Sequence, residues 1–120
     1  ALSAIRAAYQ AGRALWVSRQ VLREYLVTMT RPQAFASLSK ETVLEQVEQF
    51  IEHFEVADDT QVVTDRLLKL IKDHTFGGKQ IHDANIVATM QAFGIGCLLT
   101  HNASDFIRFN QLITIEPVVA

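Results

Sequence analysis

The sequence predicts an α/β fold, in which helices cover both faces of a short, mostly parallel sheet. Segments with apolar residues at helical spacing alternate along the chain with short apolar runs. This alternation is typical of parallel sheets, because each helix carries the chain back to begin the next strand. With 120 residues, of which 49% are hydrophobic and 20% charged, the chain has the size of one globular domain, 1–120.

The first half of the chain carries signals for three helices and two strands. Gly12 can end the first helix as a C-cap glycine, and Ser18 can cap the second at Arg19–Met29. Pro32 follows that helix, and proline disfavours helix in the residue before it. A connector at 33–38 leads to Ser39, which can cap the third helix. The predicted strands are 14–17 and 54–57.

The second half of the chain repeats the pattern with two longer helices and two strands. The run Asp58-Asp59-Thr60 can cap a helix at 61–74, and Gly77-Gly78 predicts a loop. A helix at 81–93 is expected to close at Gly94, and Asp105 lies in a short turn or helix. The predicted strands are 96–100 and 112–115.

The apolar positions of these helices predict the core, because residues three and four apart share one helix face. The predicted inner faces are Val21, Leu22, Tyr25, Leu26 and Met29, then Val43, Val47, Phe50 and Ile51, then Val62, Val63, Leu67, Leu70 and Ile71.

Charge is distributed unevenly along the chain, although the net charge is only −2. Residues 1–40 contain one acid, Glu24, among five arginines, whereas residues 41–65 contain acids and neither lysine nor arginine. Proteins that bind nucleic acid by bulk attraction are usually basic overall, so any such binding here would be local. We interpret the acidic segment as a solvated helix face.

Composition also bears on the cellular setting. No stretch approaches the ~18 apolar residues of a membrane span, and we expect no membrane partner. Cys97 is the only cysteine, so no disulfide can form within the chain. It lies in an apolar run, which predicts a buried, inert thiol, and these features favour a reducing, cytoplasmic setting.

Three acids are placed to meet at one edge of the predicted sheet. Glu24 lies on the helix after the first strand, Asp83 opens a helix, and Asp105 follows the strand that ends at Thr100. Helix beginnings and strand ends share an edge in a parallel sheet, so the three can point into one cleft, with Glu24 bordering the buried face. Carboxylate oxygens suit Mg²⁺ or Mn²⁺, which can activate water and stabilise charge on a phosphodiester.

Each of these residues also has a purely structural interpretation. The helix dipole favours Asp83 in a first turn, and Asp105 and Asn102 can bond their own backbone in a turn. Glu24 can pair with a neighbouring arginine at the surface. The Thr100 hydroxyl can orient a water or carboxylate in the cleft, or it can bond the backbone at the strand end.

Other chemistries are less well supported by the sequence. His82 and His101 flank the acidic positions, but no third histidine or thiol lies at the spacing of a zinc site. Cys97 with a histidine would form a nucleophile pair, but its apolar surroundings argue against a reactive thiol. The loop at Gly77-Gly78 lacks the Lys-Ser/Thr of a phosphate-binding loop.

Three segments together resemble a PIN domain. Val17–Tyr25 followed by Thr30-Arg31-Pro32 resembles the family's second strand and helix, Ile81–Ala88 its later acidic helix, and Leu99–Phe106 its strand-end motif. Their order and spacing agree with the family over essentially the whole chain, and they are most similar to VapC-type toxin ribonucleases.

This resemblance implies a Mg²⁺- or Mn²⁺-dependent endoribonuclease that forms a homodimer and binds a cognate antitoxin. Glu24, Asp83 and Asp105 take the positions of the family's acidic, metal-binding residues, and Thr100 and Asn102 its strand-end polar positions. Basic residues near the cleft, Arg19, Arg23 and Lys79, are expected to hold the RNA backbone.

The chain departs from the family pattern at its start. The family's first strand carries an Asp that binds metal, and no such segment precedes Ala1, where the sequence begins inside an apparent helix. We therefore expect a truncated start, with the first strand missing. A catalytically inactive PIN remnant that binds a partner or dimerises is the alternative function, and a DNA flap nuclease is a weaker one.

Overall fold

The computed structural model describes residues 2–31, 39–100 and 102–117. Pro32, the connector predicted at 33–38 and His101 lie outside these described residues. The chain divides into two compact units, named here the amino-terminal unit, Ala8–Asp58, and the carboxy-terminal unit, Ala1–Ala7 with Asp59–Ala120. The elements in chain order are α1 (Leu2–Gln10), β1 (Trp16–Ser18), α2 (Arg19–Met29), α3 (Lys40–His53), β2 (Glu55–Ala57), α4 (Gln61–Asp73), α5 (Gln80–Phe93), β3 (Cys97–Thr100), α6 (Ala103–Phe106), a 3₁₀ helix (Ile107–Phe109) and β4 (Thr114–Pro117).

Strand pairing in the structure is parallel, which confirms the predicted α/β class. In the amino-terminal unit β1 pairs with β2, and Ser18 lies opposite Ala57. In the carboxy-terminal unit β3 pairs with β4, and Thr100 lies opposite Pro117. The four predicted strands thus form two two-stranded sheets within the described residues, with bounds shifted by one or two residues from the prediction. None of the described helices is long and apolar enough to cross a membrane.

Side-chain caps set the helix beginnings as predicted. The Ser18, Ser39 and Thr60 oxygens accept the backbone N–H of the residue three positions later, at the starts of α2, α3 and α4. Each such bond satisfies one of the backbone donors that a helix leaves unpaired in its first turn. The bounds of α2 therefore match the prediction, and those of α4 differ only at its last residue.

A glycine in the left-handed backbone conformation ends α5. Gly94 has φ +68° and its N–H bonds the Gln91 and Met90 carbonyls, as in the predicted C-cap. We expect Gly94→Ala to lower the free energy of unfolding by about 1 kcal/mol, because a Cβ strains this backbone conformation.

The matched control for this change is Gly96→Ala. A Cβ at either glycine meets no atom within 4 Å, and only Gly94 has a positive φ, so a difference between the two variants isolates the backbone term. Urea denaturation followed by circular dichroism measures both, and equal losses would contradict the strain argument.

Tyr25 joins α2 to α3 in the amino-terminal unit. Its hydroxyl donates a hydrogen bond to the Gln46 Oε1 atom, and its ring meets Phe50 edge to face at 5.7 Å between centroids. Phe50 in turn contacts Phe54 at 5.4 Å. Aromatic pairs of this geometry contribute about 0.5–1.5 kcal/mol beyond the area they bury.

Burial raises the pKa of the Tyr25 phenol above its ordinary value of 10.0. As pH rises, the unfolded chain therefore loses this proton at a lower pH than the folded chain does. The contribution of the protonated Tyr25 to the free energy of unfolding is fully present below pH 10 and is lost as pH rises through the raised pKa. Ultraviolet titration of tyrosinate in a Tyr9→Phe variant observes Tyr25 alone, since the chain has two tyrosines. A midpoint at or below that of a Tyr25→Phe variant, which reports the exposed Tyr9, would contradict the prediction.

The core of the carboxy-terminal unit lies among α4, α5, α6 and the 3₁₀ helix. Phe109 is completely buried, and its ring contacts those of Phe76 and His74 at 5.7 and 5.9 Å. The other buried members of this cluster are Val63, Leu70, Ala84, Val87, Ala88, Met90, Phe106 and Ile113.

Three apolar side chains predicted to be inside are exposed. Val21, Ile51 and Val62 have exposed fractions of 36%, 50% and 55%. At about 100° per residue, Val21 and Val62 each lie a full step around the helix from the buried residue that follows them. Ile51 lies about 80° around α3 from the buried Val43, so it stands beyond the edge of the buried helix face.

Candidate functional site

The end of β3 carries a compact polar turn. The Thr100 Oγ1 accepts the Asn102 backbone N–H at 3.0 Å, and the Asn102 carbonyl accepts the Asp105 N–H at 2.9 Å. Thr100 therefore bonds the backbone, as its structural interpretation predicts. Its own hydroxyl proton has no acceptor among the described residues.

Asp105 lies in the first turn of α6, and both Asp105 and Asn102 are exposed. The Asn102 side chain makes no capping bond, and the Asp105 carboxylate has no hydrogen bond or ion pair within the described part of the chain. Both polar groups are thus accessible to a ligand at the carboxyl end of β3.

Asp83 lies in the first turn of α5 and is half-buried. Three residues separate the end of α5 from the start of β3, so the last turn of α5 lies near the start of that strand. α5 also contacts α6, which begins just past the other end of β3. Asp83 and Asp105 thus lie on two helices that contact each other, and the second of these follows the end of β3.

Glu24 is exposed, and it lies about 40° around α2 from the buried Gln20, four residues earlier. It lies about 160° around α2 from the buried Leu22, since two residues advance the helix by about 200°. Its Oε2 accepts a hydrogen bond from the Gln20 Nε2 at 3.2 Å, and Gln20 itself is buried. Glu24 belongs to the amino-terminal unit, whereas Asp83 and Asp105 belong to the carboxy-terminal unit.

Of the three basic residues predicted to hold RNA, one already has an anionic partner. The Arg19 Nε atom donates to the Asp58 Oδ1 atom, and both side chains are more than half exposed. Arg23 lies one turn further along α2, is exposed, and makes no ion pair with the described residues. Lys79 is exposed at the N-cap position of α5 and makes no capping bond through its side chain.

The carboxylates are oxygen donors of the kind that Mg²⁺ and Mn²⁺ prefer. Within the described ranges, however, no three Asp, Glu, His or Cys side chains gather closely enough to hold one ion. The three-acid set and the cation remain predictions. His82 is exposed, and Cys97, expected to be buried, is half-buried.

Comparison with known proteins shows a relationship of fold alone. No protein-family model matches the sequence, and no curated protein matches it. Among solved structures, the chain is similar to the crystal structure of VapBC2 from Rickettsia felis bound to a DNA fragment from their promoter. The TM-score is 0.64 at 17% identity, and the match covers 97% of this chain and 83% of that one. This likeness supports the PIN-like α/β fold that the sequence predicts.

Gln20 and Asp58, which bond the predicted site residues Glu24 and Arg19, were not found as partners from the sequence. Gln20 stands between apolar and charged residues on α2, and nothing in its spacing distinguishes it from a solvated side chain. Asp58 is one of three successive residues, Asp58-Asp59-Thr60, that can each cap the helix after them, so its sequence position indicates a cap and no ion pair. Only the pairing of Ser18 with Ala57 brings Asp58 beside Arg19.

Proposed function

We propose that this chain is the catalytic domain of a metal-dependent endoribonuclease that acts as the toxin of a toxin–antitoxin pair. It hydrolyses RNA phosphodiester bonds with Asp83 and Asp105, and the family resemblance adds Glu24 as a third acid. Mg²⁺ or Mn²⁺ is the proposed cofactor, a cognate antitoxin the proposed protein partner, and a homodimer the proposed assembly.

One observation carries this proposal. Thr100, Asn102 and Asp105 lie at and just past the end of a parallel strand, and the helix that carries Asp83 in its first turn contacts the helix that carries Asp105. The carboxyl edge of a parallel sheet is where α/β proteins bind ligands. The likeness in fold to VapBC2 from Rickettsia felis supports the choice of a toxin–antitoxin ribonuclease.

Each residue has a proposed role that follows from its chemistry and exposure. The exposed Asp105 carboxylate would hold the cation or accept a proton from the attacking water, and the half-buried Asp83 would do the same from the first turn of its helix. Asn102 and the Thr100 hydroxyl donate hydrogen bonds to phosphate oxygens. Arg23 and Lys79 offset the backbone charge of the RNA.

The test uses the whole natural gene product that contains these 120 residues, so that any segment before Ala1 is present. Labelled single-stranded RNA and DNA of the same sequence are incubated with Mg²⁺, with Mn²⁺ and with EDTA. We expect cleavage of RNA that depends on either cation. Cleavage of DNA alone would favour a flap-type nuclease, and retained antitoxin binding without any cleavage would favour a non-catalytic binding module.

A further inference from the structure

The Arg19–Asp58 ion pair lies at the carboxyl end of the β1–β2 sheet. Ser18 and Ala57 are opposite one another in the parallel register, and Arg19 and Asp58 are the next residues of the two chain segments. The strands therefore deliver a cation and an anion to the same edge from positions 39 residues apart. The strand register brings the two residues together, and residue spacing along a helix does not.

Both side chains of this ion pair are exposed to solvent. The exposed fractions of the side chains are 56% for Arg19 and 60% for Asp58. Water and salt compete strongly for charges this exposed, so such a pair is only weakly stabilising. An anion of better geometry can thus displace the carboxylate at little cost.

An RNA phosphodiester is an anion of that kind. A guanidinium presents a planar fork of N–H donors that matches two phosphate oxygens as well as it matches a carboxylate. Asp58 occupies the Nε edge of that fork and repels a phosphate that approaches it. We propose that Asp58 is an electrostatic competitor of RNA at Arg19, so that it limits the affinity of the chain for RNA.

Arg23 provides the internal contrast. It lies four residues after Arg19 on α2, so the two side chains are neighbours on the helix surface. Arg23 is exposed and has no carboxylate partner among the described residues. A phosphate contact at Arg23 is therefore open from the outset, whereas the contact at Arg19 requires the release of Asp58.

The proposal rests on the proposed function, since it takes RNA as the ligand, and its test measures binding without catalysis. Fluorescence anisotropy with labelled single-stranded RNA in EDTA gives the Kd of the whole gene product and its D58N variant. The matched control is D59N, which removes the same charge from the exposed neighbouring residue. We expect D58N to bind RNA about 1.5- to 5-fold more tightly than D59N, the range expected for an exposed ion pair.

Two further measurements separate competition from a general charge effect. The slope of log K against log salt should steepen in D58N by up to about 0.7, the value for one more phosphate contact on a single strand. Adding R19Q should remove the difference between D58N and D59N. Asp58→Ser serves as a second variant, and the urea midpoint of each protein checks that it is folded.

Equal Kd values for D58N and D59N, with RNA binding intact, would overturn the role of Asp58 and leave the proposed function standing. The same conclusion would follow if D58N still bound RNA more tightly than D59N when R19Q is added to both. Absence of RNA binding by every protein, with all of them folded, would contradict the proposed function and the competition together.

Discussion

Replacing Phe109 by alanine is expected to lower the free energy of unfolding by about 3–5 kcal/mol, the largest effect of any single change considered for this chain. The side chain is completely buried in the carboxy-terminal unit, and its ring contacts both Phe76 and His74. Alanine removes these contacts and leaves a cavity that the surrounding helices cannot fully close. Since domains are stable by about 5–15 kcal/mol, this change removes a large part of the total.

The matched control is Ile107→Ala, in the same 3₁₀ helix. Ile107 is 62% exposed, so its removal should change stability by no more than about 0.5 kcal/mol. Urea unfolding followed by circular dichroism gives both values. Similar losses for the two variants, or a loss below about 1 kcal/mol for Phe109→Ala, would show that Phe109 is not at the centre of this core.

Asp83→Asn and Asp105→Asn are each expected to reduce RNA cleavage by about a hundredfold or more in kcat/KM. Carboxylates that transfer protons or balance charge at a reacting centre contribute effects of this size. The substitution keeps the shape of the side chain and removes its charge. Exposed Asp105 should tolerate it without loss of stability, whereas half-buried Asp83 has an interaction partner and requires a stability measurement beside the assay.

Asp65→Asn is the control for both variants. Asp65 is an exposed acid in α4, so its replacement makes the same change in net charge and should leave cleavage unaltered. The double variant Asp83→Asn with Asp105→Asn should lose little more than the more damaging single variant, because residues that act as a unit are not additive. Full activity in either single variant would remove that residue from the proposed site.

Metal dependence is a separate expectation with its own measurement. Titration of the gene product with Mn²⁺, followed by electron paramagnetic resonance, detects binding without any cleavage. The proposed site predicts weaker Mn²⁺ binding in Asp105→Asn than in Asp65→Asn. Identical binding by both variants would separate Asp105 from the cation and leave its contact with RNA to be tested on its own.

Local chemistry made most of the secondary structure predictable. Ser18, Ser39 and Thr60 each bond a backbone N–H three residues away, so the beginnings of their helices are encoded within one turn of sequence. Gly94 ends α5 for the same local reason. Strand bounds were less accurate, because a strand exists only where a distant partner pairs with it.

Burial was predicted less well than secondary structure. Val63 and Leu70 lie inside as expected, but Val62 and Ile51 do not. Helical spacing shows which apolar residues share one face of a helix. It does not show how much of that face other elements cover. The neighbouring elements decide that width, and they come from other parts of the chain.

The sequence by itself determined the order of the elements, their caps and the acidic positions Asp83 and Asp105 at the openings of helices, because these depend on residues within a turn of each other. Only the tertiary structure decided that Glu24 is exposed, that Phe109 lies at the centre of a core, and that Asp58 pairs with Arg19. These depend on packing and on strand register between residues far apart in the chain, where no local spacing carries the information.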